Sequence, residues 1–548
     1  MLRNVVFVFL LVAFTFTGSA QQNWVLPKVI TPTFKAVTYN ISKYGAVPDG
    51  YKLNTAAIQK AIDECNANGG GTVQIPNGLW LTGPIVLKSN VNLNLATGAT
   101  LLFTKDKSQY PLVKANWEGY EQMRNQSPIS AKGATNIGIT GKGIIDANGD
   151  VWRMVKKDKL TENQWKKLVA SGGVVSKDGK LWMPSESFAK GQETKDPGRI
   201  LPGRDAAFFQ SVKDVLRPNL LVLTECDKIL LEGVTFQNSP AWNLHPLMSS
   251  NITVRNITVK NPWYAQNGDG IDLESCRNVL IENSVFDVGD DGLCIKSGRD
   301  ADGRKRAMPT QDVIIRGCTV YASHGGFVVG SEMSGGAKNI YVSNCTFVGS
   351  DIGIRFKTTR GRGGVVENIF IKDIYMKDIP GDAVLFDMYY AGNDPVPMEG
   401  EKRQLPKVEM LPVDETTPVF RNIDISNVYC NGAKKAIFIR GLPEMHVSNI
   451  KISNSVFQSD FGADIQEASN ITLENVKLFS KKTDPVIDVI NSDNILVNGF
   501  EYTKGAGNLI RVAGERAKAI TLQKTNYQHV KETIKTELGA PANSVLAK

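Results

Sequence analysis

Histidine is scarce in this chain of 548 residues: there are four, and none stands in HExxH or a comparable metal-ligating spacing. That excludes the zinc-hydrolase motifs, and no catalytic metal or other cofactor is expected. Cysteine is sparse as well. The seven cysteines run from Cys65 to Cys430 with no CxxC pair and no compact framework, which argues against a zinc ribbon, a redox motif or a disulfide scaffold. They read as buried thiols, except Cys294, which the alternation described below points outward. Lysine/arginine tracts with interleaved aromatics are missing, so nucleic acid is a poor partner despite a net charge of +8. Beyond the first segment no run approaches the ~20 apolar residues of a membrane span.

Residues 1–20 carry one basic residue, an apolar run from Val5 to Phe16 and small residues ending at Ala20. This is the layout of a secretory signal peptide, too short for an anchor. The mature chain is expected to be exported, periplasmic or extracellular, and monomeric, without membrane insertion. Its charge falls by one as Arg3 leaves, a mild bias that suits an anionic partner without naming one.

What the chain does contain is repetition. Four segments read alike: GIDLES from Gly270, GLCIKS from Gly292, GFVVGS from Gly326 and GIRFKT from Gly353. Alternate side chains of a strand face opposite ways, and the first and third residues after each glycine are apolar. The second and fourth then form an outward row that is expected to be exposed: Asp272/Glu274, Cys294/Lys296 and Arg355/Lys357. Asn243 and His245 in the upstream segment AWNLH extend it and are candidate substrate-binding residues. Counted from the glycines, Asp269 and Asp291 share one phase, and Asp290 and His324 another. A second pattern, Asn-aliphatic-x-aliphatic-x-Asn/Gly/Asp, recurs from Asn251 to Asn494, mostly every 21 to 34 residues. Short strands with period-2 burial, closed by residues that tolerate left-handed geometry, describe a solenoid.

The predicted fold is therefore all-β: a single-stranded right-handed parallel β-helix, with Gly-led segments on one sheet and Asn-led segments on another. Residues 21–548 form one domain in this reading. The stretch TAAIQKAIDECNANGGG from Thr55, with Ala57, Ile58, Ile62 and Cys65 at helical spacing, predicts an N-terminal capping helix over the strand edge. Two polar stretches, Val151 to Arg217 and Gly298 to Pro309, are long for solenoid turns and read as loops that wall one end of a cleft, contact a partner, or merely move.

One coil apart means about 4.8 Å apart, so Asp269, Asp290 and Asp291 can share a water or a sugar. Repulsion among them keeps one protonated while the others hold water, as glycoside hydrolysis requires. His324 can tune the acid, and Arg355 and Lys357 can clamp a sugar carboxylate.

At these residues the chain resembles glycoside hydrolase family 28, the polygalacturonases. Asn267-Gly268-Asp269, Asp290-Asp291, Ser323-His324-Gly325 and Arg355-Phe356-Lys357 are similar to that family's Asn-Thr-Asp, Asp-Asp, Gly-His-Gly and Arg-Ile-Lys blocks, and three of the differences leave every reactive group in place. YGAVPDG at Tyr44, GGGTVQIP at Gly69 and GKGIIDANGDVWR at Gly141 extend the likeness over residues 38–500. The resemblance implies Asp290 as general acid, and Asp269 and Asp291 as the pair that deprotonates water for inversion. It implies His324 as support for the acid, and Arg355 and Lys357, with Asn267 and a tyrosine, as substrate-binding residues. Tyr390 fits that tyrosine by spacing, with Tyr389 beside it.

The implied activity is hydrolysis of α-1,4-galacturonosyl linkages in a pectic polysaccharide or oligogalacturonide, exo-acting if the polar stretches close the cleft. Rhamnogalacturonan or another decorated pectin remains open, as do a calcium-dependent pectate lyase, with the aspartates recast as ligands, and a non-catalytic glycan-binding β-helix.

Overall fold

The computed structural model describes residues 26–390, 404–405, 407 and 409–548. The signal segment expected at residues 1–20 lies outside them. Among the described residues no helix is long and apolar enough to cross a membrane.

Among the described residues, thirty-seven strands hydrogen-bond into one winding parallel sheet, a parallel β-helix. The Gly-led segments stack directly. Ile271–Glu274 pairs with Asp291–Lys296, that strand with Gly325–Gly330, and that one with Ile354–Lys357. The Asn-led segments form a separate ladder through Ser250–Arg255, Arg277–Glu282, Thr310–Arg316 and Ala337–Val348. Their asparagines do more than close strands. Asn251, Asn278, Asn339, Asn368 and Asn494 open them and are themselves left-handed, as are the closing Asn256, Asn283 and Asn344. Asparagine tolerates this backbone because its short amide bonds locally. Here it also bonds to the next coil, as Asn339 does to Asp312 at 3.0 Å and Asn449 to Asn422 at 3.0 Å.

Inside the tube, like residues stack on like. Phe356 lies against Phe386 with ring centres 4.5 Å apart and 6° between planes, and both are buried. Phe356→Ala is expected to destabilise the fold by about 3–5 kcal/mol, read as a lower urea midpoint with an unchanged denaturant slope. The predicted capping helix forms at Thr55–Ala67 and buries Ile58, Ala61, Ile62 and Cys65 against the first strands.

The two polar stretches are not loops. Residues 151–217 build helices Glu162–Ala170, Glu186–Glu193 and Ala206–Ser211, capped by Thr161, Ser185 and Asp205, with a three-stranded antiparallel sheet between. Asp300–Arg306 is a helix as well. A hairpin, Leu112–Trp117 with Tyr120–Asn125, stands outside the solenoid and has no counterpart in the repeat pattern.

These additions overturn the expected exposure of the outward row. Asn243, His245, Asp272, Glu274, Cys294, Lys296 and Lys357 do point away from the core, yet all are buried. The hairpin's Trp117 packs on Trp242 at 4.7 Å, and Arg306 of the short helix bonds Glu274 at 2.6 Å. Alternation decides which way a side chain points and says nothing about what lies on top. Cys294 joins the other six as a buried free thiol.

Candidate active site

Register brings the chemistry together. Because Ile271 sits beside Leu293 and Leu293 beside Phe327, Asp269 lies next to Asp291, and Asp290 next to His324. Asp269, Asp290 and Asp291 place one carboxylate oxygen each within 4.8 Å of one another, close enough to share a water or a cation. Lys357 Nζ lies 2.7 Å from Asp291 Oδ2, and Arg355 Nη1 lies 3.9 Å from Asp291 Oδ1. Both reach across an intervening coil, and Gly325 helps to make this possible. A Cβ there would meet Asp291 Oδ1 and Arg355 Cδ at 3.5 Å and strike Val328 at 2.3 Å.

The three carboxyls differ in setting. Burial would raise Asp291, but Lys357, Arg355 and Lys296 overcome it and hold this group below the usual carboxylate range. Asp269 is driven well above that range by burial, then by repulsion from Asp272 and Asp290. Beneath it burial pushes Asp272 up to about 8, with Lys296 Nζ 3.5 Å away and bonded at 2.9 Å to Glu332. Glu332, which no repeat signalled, completes this buried ionic floor. Asp290 keeps 20% of its side chain exposed and opens on a cleft of about 580 Å³ shared with His324 and Asn267.

His324 Nδ1 lies 3.4 Å from Asp290 Oδ1, and that contact raises the imidazole above its ordinary value against the opposing effect of burial. The stabilisation carried by the raised imidazole is therefore fully present below about pH 6.5, the unfolded histidine value, and lost as pH rises through the higher folded value. The difference in thermal midpoint between the wild type and His324→Ala is expected to be largest in mild acid and to vanish in alkali. A difference independent of pH would rule out the ion pair as its source.

Asn267 is in the site, its Oδ1 accepting from Arg217 Nη2 at 2.7 Å. Arg217 is itself partly buried and comes from the end of the insertion, 50 residues away in the chain, a connection that no repeat announces. Tyr390 is present too, its ring centre 5.1 Å from Lys357 Nζ and 5.7 Å from Arg355. Tyr389 instead faces Arg440. Asn243 and His245 do not reach the cleft. His245 is held between Glu274 at 2.9 Å and Asn219 at 3.2 Å, and Asn243 Nδ2 donates to the Asp269 carbonyl at 2.9 Å. Both are built into the support beneath the site.

A parallel β-helix with clustered carboxylates and paired cations beside a cleft has the make-up of a glycoside hydrolase. The model of glycosyl hydrolases family 28 matches residues 205–417, and that of the rhamnogalacturonase A/epimerase, pectate lyase-like group matches residues 38–197. An exo-poly-alpha-D-galacturonosidase of Dickeya chrysanthemi is 32% identical over 375 residues, which are 67% of this chain and 60% of that protein. The chain thus spans about 60% of that relative's length. A probable polygalacturonase of Vitis vinifera is 29% identical over 430 residues, 77% of this chain and 74% of that one. The crystal structure of a hyperthermoactive exopolygalacturonase from Thermotoga maritima aligns with a TM-score of 0.64 and 30% identity, covering 86% of this chain and 94% of that one. The chain belongs to glycoside hydrolase family 28.

Proposed function

We propose that this chain is an exported hydrolase of α-1,4-linked galacturonan in pectin, acting from a chain end. The observation that carries the reading is the set of three carboxylates within 4.8 Å beside Arg355 and Lys357, cations suited to a uronate. Asp290, on the cleft side, donates its proton to the glycosidic oxygen as that bond breaks. A water held by Asp291 and Asp269 gives its proton to Asp291 and its oxygen to the anomeric carbon. Asp291 suits the base because Lys357 keeps it ionised. Asp269, whose burial and neighbours disfavour its charge, suits positioning of the water.

Inversion follows from the resemblance. The 4.8 Å spacing is tighter than the ~6.5–9.5 Å that inverting enzymes generally leave for water. With three carboxylates, however, water can sit beside the acid rather than between two groups. Proton NMR of the first product decides: a β-anomer is expected, and an initial α-anomer means retention.

Exo action draws support from the insertion, whose Met154, Val155, Lys156 and Lys159 line the same cleft as Asp290. The names of the Dickeya and Thermotoga relatives point the same way. The test is to incubate the protein with polygalacturonate and with rhamnogalacturonan and to chromatograph products over time. Monomer alone from the outset is expected from polygalacturonate. An early ladder overturns exo action, and no product from polygalacturonate overturns the substrate. Chelator is expected to leave the rate unchanged with no ultraviolet-absorbing product, since Lys357 already neutralises Asp291; a calcium-dependent lyase gives the reverse on both counts.

A further inference from the structure

Trp263 and Tyr264 are large aromatic residues left 59% and 49% exposed, and both line the cleft that contains Asp290 and His324. Their turn follows strand Thr258–Lys260, one coil before the turn that leads from Val285–Asp287 to Asp290, and Lys260 and Asp287 are register partners. The two turns touch closely. At Gly289 a Cβ would come within 2.6 Å of the Pro262 carbonyl oxygen and 2.8 Å of that of Trp263. Only glycine fits there without a shift, so Trp263 is held about one coil spacing, ~4.8 Å along the axis, from the turn carrying Asp290.

The insertion meets this turn from the opposite side. Arg153, buried, bonds the Ser239 carbonyl and approaches Asn261 Oδ1 at 3.5 Å, tying the insertion to the Trp263 turn. Beyond that anchor Lys159 Nζ lies 4.6 Å from the Trp263 ring centre, and Lys156 joins the same cleft lining. Both lysines are exposed, and neither has a carboxylate partner among the described residues. An exposed lysine–tryptophan contact adds little stability. Unpaired cations beside an exposed ring instead match a ligand with an apolar face and a negative charge.

We propose that Trp263, Lys159 and Lys156 form a second uronate subsite, in which the C–H face of a pyranose lies on the indole and the lysines meet the carboxylate of that ring. This rests on the reading of the cleft as a galacturonan site and names the residues that hold the ring next to the scissile one on the insertion side.

Steady-state kinetics on tetragalacturonate test it. Trp263→Ala is expected to raise KM about tenfold with kcat within about twofold, and Trp263→Phe to recover most of the loss. Lys159→Gln is expected to raise KM less, with an effect that fades at high salt. Fluorescence titration of the Asp290→Asn chain, with and without Trp263→Phe, reports binding directly: quenching by tetragalacturonate is expected to fall when Trp263 is absent. Unchanged KM and unchanged quenching in the Trp263 variants of an active enzyme overturn the subsite and leave the function intact. A wild type that releases nothing from polygalacturonate overturns the function, and the subsite with it.

Discussion

Asp290→Asn is expected to lower kcat on polygalacturonate by about 10³-fold with KM changed less than about threefold. The amide keeps the shape of the side chain, and so its place beside His324 and the cleft, but it has no proton to give to a leaving oxygen. The same change removes one of the three carboxyl groups gathered within 4.8 Å. Asp269 loses a repelling neighbour and His324 loses its partner, so both are expected to titrate lower than in the wild type. Stability is expected to hold or rise, because clustered buried carboxyls are retained for chemistry rather than for folding. Kinetics, product chromatography and a thermal melt check the three expectations together. A kcat within about tenfold of wild type would remove Asp290 from the role of acid.

Lys357→Met is expected to destabilise the fold in a way that depends on pH. Asp291 is 1% exposed, and its Oδ2 bonds to Lys357 at 2.7 Å. Removing one partner of a buried pair strands the other charge, at a cost of about 3–5 kcal/mol; Arg355 at 3.9 Å and Lys296 offset part of it. The pH dependence has a definite sign. Asp291 is held below its ordinary value in the folded protein, so the stabilisation is present above the unfolded carboxyl value of about 3.9 and is lost as pH falls through the folded one. Wild type and variant are expected to differ most near neutral pH and to converge in strong acid. Adding Asp291→Asn to Lys357→Met is expected to restore much of the stability at neutral pH while leaving the enzyme inactive. Urea unfolding at several pH values measures all three chains. An equal deficit at every pH would mean that lost packing, not the ion pair, is responsible. Lys357→Arg is not a neutral control, since a planar guanidinium does not replace a compact ammonium in a filled site.

The repeat makes much of this arrangement legible in the sequence. In a parallel solenoid, equivalent residues of successive coils become neighbours, so the alternation around Gly270, Gly292, Gly326 and Gly353 already implies that Asp269 adjoins Asp291 and that Asp290 adjoins His324. The asparagines that start each second strand are legible for the same reason: left-handed backbone is a local requirement with a local residue preference. Asn243, His245 and Cys294 show where this logic ends. Their phase was correct and their environment was not, because the residues covering them come from a hairpin and a helix that share no period with the coils.

The amino-acid sequence by itself determined the winding, the stacking of its Gly-led and Asn-led segments, and the phase of each reactive side chain, all set by nearest-neighbour geometry between coils. Tertiary structure alone decided burial and charge state. It raised Asp269 above the buried floor of Asp272, Lys296 and Glu332, drew Lys357 across a coil onto Asp291, and set Lys159 of the insertion beside Trp263. Those outcomes depend on desolvation and on contacts between segments far apart in the chain, which no repeat encodes.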